Sequence, residues 1–359
     1  MFWFGKNAFL GVDVGNSSIK IVELEVRDNK PVLSNYAWMD LSQAKGLKMD
    51  EKVWELCLKK IVKEGKIKAK NTYVSISSPG SLIILFELPE MAKEDLDQAV
   101  RFEAHKYVPV SSMEDVVISW DILGPPMQDY PAKASSNPAQ DKKSGKMVQI
   151  LLVAASKNEV AKCERAIRNA NLKLKSIEVE NFALTRSLIG NDQGNFVIAE
   201  IGSIVCNIIL VEKGIIKSSR NIDAGGGDIT RVISSSLQID EKRVEQMKMS
   251  GENFFNSELG INLPVLEAIV GEIKKVLYNY YKGEEHNRLN GVILSGGTAG
   301  LKGLENYFSN ALKIKTFVGN PLSRIDYDHR LDLILNKNKT RFSVALGLAL
   351  KGFEEYQNK

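Results

Sequence analysis

A strand–turn–strand pattern that occurs twice limits the possible folds of this chain more than any other feature. Each copy has an apolar strand, a short turn with glycine and a second apolar strand, at 9–14 and 19–25 in the first copy and at 196–201 and 207–211 in the second. Three positions match at one constant offset, namely Asp13 with Glu200, Gly15 with Gly202, and Val22 with Ile209. This internal duplication predicts two similar α/β domains that face each other across a cleft, with both turns beside one ligand.

The length and composition of the chain fit this architecture and argue against several other classes of protein. With 359 residues, of which 44% are hydrophobic, the chain can fill more than one core. A net charge of +4 without a long basic block argues against nucleic acid as a partner. The sequence offers neither an apolar run near the roughly 20 residues of a membrane-spanning helix nor an export signal at its start, so we expect a cytoplasmic protein.

Between the two copies, strands that alternate with helices predict an α+β subdomain inserted into the first domain. The loop at 124–146 is rich in Pro, Ser, Asn and Lys and has too little apolar surface to order itself, so we expect it to be flexible. The predicted boundaries are 1–80 for the first part of the first domain, 81–179 for the insertion, 180–195 for the return to the first domain, 196–340 for the second domain with a small subdomain at about 237–290, and 341–359 for a C-terminal helix.

The first turn has the residue types that a nucleotide phosphate chain with magnesium requires. Gly15 has no Cβ and lets backbone N–H groups approach a phosphate, while Ser17 adds a hydroxyl donor and Lys20 a positive charge. The carboxylate of Asp13 can hold the waters of a magnesium ion. An ordinary hairpin turn is the alternative, and it would be the commoner explanation if this motif stood alone.

The second turn supplies Glu200, a second carboxylate that would approach the same magnesium ion from the opposite domain. Ile204 stands where Ser17 stands in the first copy, so the second turn should hold phosphate more weakly. A purely structural role for Glu200 at the end of a strand is the alternative.

Three segments of the second half complete a predicted nucleotide site. Gly226–Gly227 open a helix whose N–H groups could face phosphate oxygens, unless they form a simple flexible turn. Glu245 and Lys248 lie three apart on one helix face and could bracket a ribose, with an exposed ion pair as the alternative. Gly296–Gly297 follow a buried strand, where a base could lie along bare backbone, although a plain strand-to-helix turn has the same sequence.

In this order, the segments resemble the phosphate-1, phosphate-2, connecting and adenosine motifs of the actin, sugar-kinase and chaperone superfamily, over nearly the whole chain. Three segments, at 11–15, 99–109 and 345–350, are very similar to those of the PilM family of type IV pilus assembly proteins. The insertion also resembles that of the related cell-division protein FtsA. The resemblance implies an α/β fold, namely the actin-like (ribonuclease H-like) two-domain ATPase fold with an inserted α+β subdomain.

By this resemblance, ATP and magnesium would lie in the cleft. Asp13 and Glu200 would be the catalytic residues and would hold magnesium, mostly through water. The residues facing the phosphates would be Asp13, Gly15, Asn16, Ser17 and Lys20, with Glu200 and Gly202 opposite, and those lining the phosphate, ribose and base sites would be Gly226, Gly227, Glu245, Lys248, Gly296 and Gly297. Because the second turn lacks the Gly, Thr and Asp cluster of active relatives, we expect slow ATP hydrolysis at most.

The resemblance also implies a cytoplasmic scaffold at the inner face of the inner membrane, in a type IV pilus or type II secretion-like machine. Its partner would be a PilN-type inner-membrane protein, bound through a short cytoplasmic tail, with other pilus components and self-association as further contacts. One alternative is an FtsA-like membrane-associated filament protein, although 354–359 is short and polar where such proteins carry an amphipathic anchor. Another is a small-molecule kinase, whose catalytic base the sequence offers only at Asp13 and Glu200.

Overall fold

The computed structural model describes residues 7–41, 51–108, 113–124, 146–255, 260–282 and 289–359. The chain divides into two compact units, of which the larger contains Met1–Ser78 and Lys162–Lys359 and the smaller contains Pro79–Ala161. The loop predicted to be flexible lies almost entirely outside the described residues. None of the helices in the described ranges is long and apolar enough to cross a bilayer.

The strands and helices alternate along most of the chain. The strands are β1 (Ala8–Val14), β2 (Ser18–Arg27), β3 (Lys30–Asp40), β4 (Asn71–Ile76), β5 (Ser81–Pro89), β6 (Val116–Gly124), β7 (Met147–Ser156), β8 (Lys173–Val179), β9 (Asn195–Ile201), β10 (Cys206–Glu212), β11 (Ile215–Ile222), β12 (Gly291–Ser295) and β13 (Thr316–Val318). The helices are α1 (Glu51–Glu64), α2 (Lys93–Ala104), α3 (Lys157–Asn169), α4 (Glu180–Leu188), α5 (Gly226–Leu237), α6 (Glu241–Ser250), α7 (Pro264–Tyr281), α8 (Leu304–Leu312), α9 (Asp332–Asn338) and α10 (Ser343–Gln357).

The larger unit contains two five-stranded sheets of the same topology. The first has the order β3-β2-β1-β4-β8 and the second the order β11-β10-β9-β12-β13. In each sheet a meander of three antiparallel strands is continued by two parallel strands. We call the part built on the first sheet the first half and the part built on the second sheet the second half.

The register within the two duplicated hairpins is identical. Asp13 pairs with Lys20 in the first hairpin, and Glu200 pairs with Asn207 at the matching position of the second. The central strands β1 and β9 are mostly apolar and buried, as is usual for the central strands of α/β proteins. The duplication predicted from the sequence is therefore confirmed.

The smaller unit is an antiparallel sheet of order β5-β7-β6 that packs against α2. Its core contains Leu96 and Val100 from the helix, with Ile150 and Leu152 from the central strand. The α+β character predicted for the insertion is thus observed.

The predicted end of the insertion at residue 179 differs from the structure. The smaller unit ends at Ala161, and β8 pairs in parallel with β4 in the first sheet of the larger unit. The boundary falls within α3, and the buried residues of this helix, Cys163, Ala166 and Ile167, belong to the larger unit. A strand that follows an amphipathic helix shows the same sequence pattern whether it joins the sheet of the insertion or that of the first domain. Periodicity alone therefore could not show which sheet β8 joins.

Two helices, α4 and α10, pack against each other on the first half with their backbones in contact. A Cβ on Gly347 of α10 would overlap the backbone of Ala183, lying 2.6 Å from its carbonyl carbon. Arg186 of α4 donates to both carboxylate oxygens of Glu178, at 2.7 and 3.2 Å, and to the carbonyl oxygen of Gly347 at 2.9 Å. The helix predicted at 341–359 is therefore a core element of the first half, because it covers the sheet at β1, β2 and β4.

Candidate functional site

The first hairpin turn gathers an acid, a base and a glycine at the carboxyl end of β1. Asp13 is only 4% exposed and accepts hydrogen bonds from Lys20 Nζ at 2.9 Å and from Ser75 Oγ at 3.3 Å. Burial would lower the pKa of Lys20, but the attraction of Asp13, with smaller contributions from Glu200 and Glu180, raises that pKa overall. Lys20 therefore stays charged beside the cleft.

Gly15 leaves room between the turn and the lysine. A Cβ at this position would lie 3.1 Å from Lys20 Nζ and 3.4 Å from the carbonyl oxygen of Ser18. The turn is closed by a hydrogen bond from the N–H of Gly15 to the same carbonyl at 3.0 Å, while Asn16 at its tip is exposed and Ser17 is half-buried. The residues predicted for the first turn thus lie together, as a local hairpin requires.

Glu200 is the next-to-last residue of β9, as Asp13 is of β1. Burial, followed by the repulsion of Glu180, raises the pKa of Glu200 to about 8; Asp13 adds to this effect and Lys20 opposes it. Asp13 and Lys20 of the first hairpin both influence the pKa of Glu200, so the ends of the two hairpins lie near each other. A common magnesium site of the two carboxylates stays a prediction.

Glu180 is a third carboxylate of this site, and the sequence analysis did not identify it. It is the first residue of α4, and its Oε1 accepts a hydrogen bond from the N–H of Ser78 at 2.8 Å. Burial raises the pKa of Glu180, with a further contribution from the charge of Asp13. In sequence, an acid that opens a helix after a strand indicates only a favourable interaction with the helix dipole, so this signal was too common to single it out.

The acidic residues suit a magnesium ion that arrives with a nucleotide better than a metal held by protein alone. In the part of the chain that the structure describes, no three His, Cys, Asp or Glu side chains are close enough together to hold a metal ion. Magnesium typically keeps several waters and takes one or two carboxylates together with phosphate oxygens. Asp13 and Glu200 meet that requirement.

The start of α5 is bound to the second turn. The N–H groups of Gly226 and Gly227 donate to the carbonyl oxygens of Gly202 and Ser203, each at 2.8 Å. A Cβ on Gly225 would lie 2.6 Å from the carbonyl group of Ser203, so the glycines allow this close approach. The expectation that these N–H groups are free for a phosphate is therefore wrong, and a role of the two glycines in binding stays a prediction.

Glu245 and Lys248 of α6 form the predicted pair, but Lys248 is more constrained than an exposed ion pair would be. Its side chain is 11% exposed, and Nζ donates to Glu245 Oε1 at 2.9 Å, to Thr230 Oγ1 at 2.9 Å and to the carbonyl oxygen of Gly226 at 3.1 Å. An ammonium group has three protons, so all its donors are used within the protein. Lys248 thus fastens α6 to α5, and the half-exposed carboxylate of Glu245 is the member that can meet a ribose hydroxyl.

Gly296–Gly297 form a turn directly beside Glu200. Gly296 has φ +85°, which favours glycine, and a Cβ there would lie 2.8 Å from Glu200 Oε1. A Cβ on Gly297 would meet nothing within 4 Å, so its backbone borders open space. This bare backbone lies next to the acidic site, and its role in binding a base stays a prediction.

Comparisons with known proteins assign the chain to a family. A model of the type IV pilus assembly protein PilM family matches residues 11–353. Among solved structures, the PilM-PilN type IV pilus biogenesis complex is 23% identical with a TM-score of 0.78, and the match covers 96% of this chain and 98% of that chain. The ethanolamine utilization protein EutJ from Carboxydothermus hydrogenoformans is 18% identical with a TM-score of 0.53, covering 96% and 89%. MreB5 of Spiroplasma citri bound to ADP is 13% identical with a TM-score of 0.53, covering 99% of both chains.

These structural likenesses agree with the two duplicated sheets and show that the fold is actin-like. The match to the family model extends over most of the sequence. The chain therefore belongs to the PilM family of type IV pilus assembly proteins.

Proposed function

We propose that this chain is an ATP-binding scaffold of type IV pilus assembly that works at the cytoplasmic face of the inner membrane. The observation that carries the nucleotide part is the meeting of Lys20 with the carboxylates of Asp13, Glu180 and Glu200 where the two hairpins face each other. Ionisation of all three carboxyl groups beside one ammonium group would leave an excess of negative charge, which a magnesium ion would offset. Lys20 would then face the phosphate groups that accompany the metal.

Proteins of similar fold support ATP as the ligand. MreB5 of Spiroplasma citri has been solved with ADP and with AMPPNP, at TM-scores of 0.53 and 0.52 to this chain. Gly15 and Gly297 offer bare backbone on the two sides of the acidic site, one for phosphate and one for the base. Hydrolysis would be slow, because Ile204 stands in the second turn at the position where Ser17 supplies a hydroxyl in the first. A catalytic role of Asp13 and Glu200 stays a prediction.

Isothermal titration calorimetry tests this proposal. The full chain should bind ATP in the presence of magnesium, and Asp13→Ala should weaken binding at least about tenfold, since it removes a metal-holding carboxylate. Asp121→Ala, an exposed acid of the smaller unit, is the matched control and should bind as the wild type does. Absence of binding to the wild type, or equal affinity of Asp13→Ala, would refute ATP binding at this site.

The partner that we propose is the short cytoplasmic tail of a PilN-type inner-membrane protein. Family membership and the likeness to a PilM–PilN complex support this choice. The smaller unit is the proposed receptor because its three-stranded sheet ends in β5 and β6, two edge strands that an extended tail could join through backbone hydrogen bonds. Contacts with other pilus components and self-association stay predictions.

Fluorescence anisotropy with a labelled synthetic PilN tail tests the partner. The full chain should bind this peptide and should not bind a scrambled peptide of equal composition. Equal binding of both peptides, or of neither, would contradict the proposal. The measurement is repeated with magnesium and ATP, because a nucleotide that favours one arrangement of the chain would change the affinity for the tail.

A further inference from the structure

Four polar side chains form a closed ring of hydrogen bonds that joins the two halves beside the acidic site. Ser78, which follows β4, and Asn181 of α4 belong to the first half, whereas Asn207 of β10 and Ser219 of β11 belong to the second. The Ser78 hydroxyl donates to Asn181 Oδ1. Asn181 Nδ2 donates to Ser219 Oγ at 2.7 Å, and the Ser219 hydroxyl donates to Asn207 Oδ1 at 3.4 Å. Asn207 Nδ2 closes the ring by donating to Ser78 Oγ at 2.7 Å.

Three of the four ring residues are buried, and Ser219 is half-buried. Ser78, Asn181 and Asn207 are 3%, 0% and 1% exposed, and every member of the ring both donates and accepts a hydrogen bond. Asn207 Nδ2 also donates to Asn181 Oδ1 at 2.7 Å, which adds a second bond between the halves. Hydrogen bonds in such closed networks strengthen one another, and removing a member leaves its buried partners unsatisfied.

Asn207 makes the second hairpin different from the first. It has the same position and register as Lys20, which bonds to Asp13 of its own hairpin. Asn207 instead bonds across to the other half, and Ile204 of the same hairpin is exposed without a hydroxyl. The second hairpin thus has a bridging role where the first has the features of a phosphate site.

We propose that Asn207, with Ser78, Asn181 and Ser219, is a latch that holds the two halves together whether or not a nucleotide is bound. The latch makes Asn207 a positioning residue for the nucleotide site, a role that rests on the proposed function, whereas the latch itself requires no ligand. Ser78 also donates its N–H to Glu180, so the latch fixes this carboxylate as well. A nucleotide would then enter a cleft that is already formed, and little of its binding energy would be used to close it.

Hydrogen–deuterium exchange on the full chain tests the latch, with Asn207→Ala and Asn35→Ala as a matched pair. The Asn35 amide also donates a hydrogen bond to a distant segment, to the carbonyl oxygen of Gly65 at 2.8 Å, but both of these residues lie in the first half. Removing the Asn207 amide takes one donor each from Ser78 Oγ and Asn181 Oδ1 and takes the acceptor from the Ser219 hydroxyl. These groups can bond to water instead once the halves separate, so separation becomes more favourable. Ser219→Ala is a milder second variant in case Asn207→Ala does not fold.

Without nucleotide, the amides of 180–184 and 206–219 should exchange about tenfold faster in Asn207→Ala than in the wild type, which corresponds to about 1.4 kcal/mol of opening free energy. Exchange of these segments should stay unchanged in Asn35→Ala. Magnesium and ATP, which would contact both halves, should slow the exchange of these segments by similar factors in the wild type and in Asn207→Ala.

Two results would overturn the latch. These are wild-type exchange rates in both ring variants, and an equal acceleration in Asn35→Ala. If the wild type binds no ATP, the proposed function fails, and the exchange rates without nucleotide still decide whether the latch exists.

Discussion

Replacement of Glu200 by glutamine should change how the stability of the protein depends on pH. The raised pKa of Glu200, about 8 against an ordinary value of 4.5, means that the folded protein keeps a proton which the unfolded chain releases. The stabilising effect of that proton is fully present below pH 4.5 and is lost as the pH rises to about 8. Glutamine cannot ionise, so Glu200→Gln should not show this loss.

The size of the effect follows from the linkage between proton binding and folding. A difference of one bound proton changes the free energy of unfolding by about 1.4 kcal/mol per pH unit. Over the window from 4.5 to about 8, the wild type should lose roughly 4 to 5 kcal/mol relative to the variant. Above pH 8 both proteins should again respond equally, and the variant should be the more stable.

Urea unfolding at half-unit pH intervals from 4.5 to 9, followed by circular dichroism, measures this difference. Glu305→Gln in α8, on the exposed surface, is the matched control and should follow the wild type at every pH. A constant difference between the wild type and Glu200→Gln across the window would refute the argument that burial and the neighbouring acids keep Glu200 protonated.

Two further predictions concern the same site and the contact between two helices. Binding of ATP with magnesium at pH 7 should release close to one proton from the wild type and markedly fewer from Glu200→Gln, because the metal requires the ionised carboxylate. Calorimetry in buffers of different ionisation enthalpy counts these protons. Equal counts for the two proteins would contradict the role of Glu200 as a metal-holding carboxylate. Gly347→Ala should destabilise the protein by about 1–3 kcal/mol, because the new Cβ overlaps the backbone of Ala183. Gly271→Ala in α7 should stabilise the protein by about 0.5–1 kcal/mol, because a Cβ there meets nothing within 4 Å. Urea unfolding of both variants measures the two signs, and equal signs would show that the close contact carries no cost.

The sequence was sufficient for those parts of the site that are local in the chain. Asp13, Gly15 and Lys20 belong to one hairpin, and a two-residue period with a glycine turn brings them together without help from the rest of the fold. The constant offset between the hairpins then predicted the second domain and the position of Glu200, because a repeated pattern implies a repeated structure.

What the sequence analysis missed depends on contacts between distant segments. Glu180 lies far from Asp13 along the chain and reaches the site only because β8 joins the first sheet through β4. The N–H groups at the start of α5 donate to carbonyl oxygens of the second turn. The Lys248 ammonium group donates to three acceptors from two helices. Local periodicity shows neither which strand pairs with which nor whether a hydrogen-bond donor already has an acceptor. These features therefore required the three-dimensional structure.

The placement of α10 on the first half has a consequence for synthesis on the ribosome. The last strand of the first sheet ends at Val179, but the helix that covers this sheet ends only at Gln357. At the usual 5–20 residues per second, the ribosome would need roughly 10 to 35 seconds to make the intervening chain. During that interval the apolar surface later covered by α10 would lack its cover, so the nascent first half depends on residues made long after its own strands.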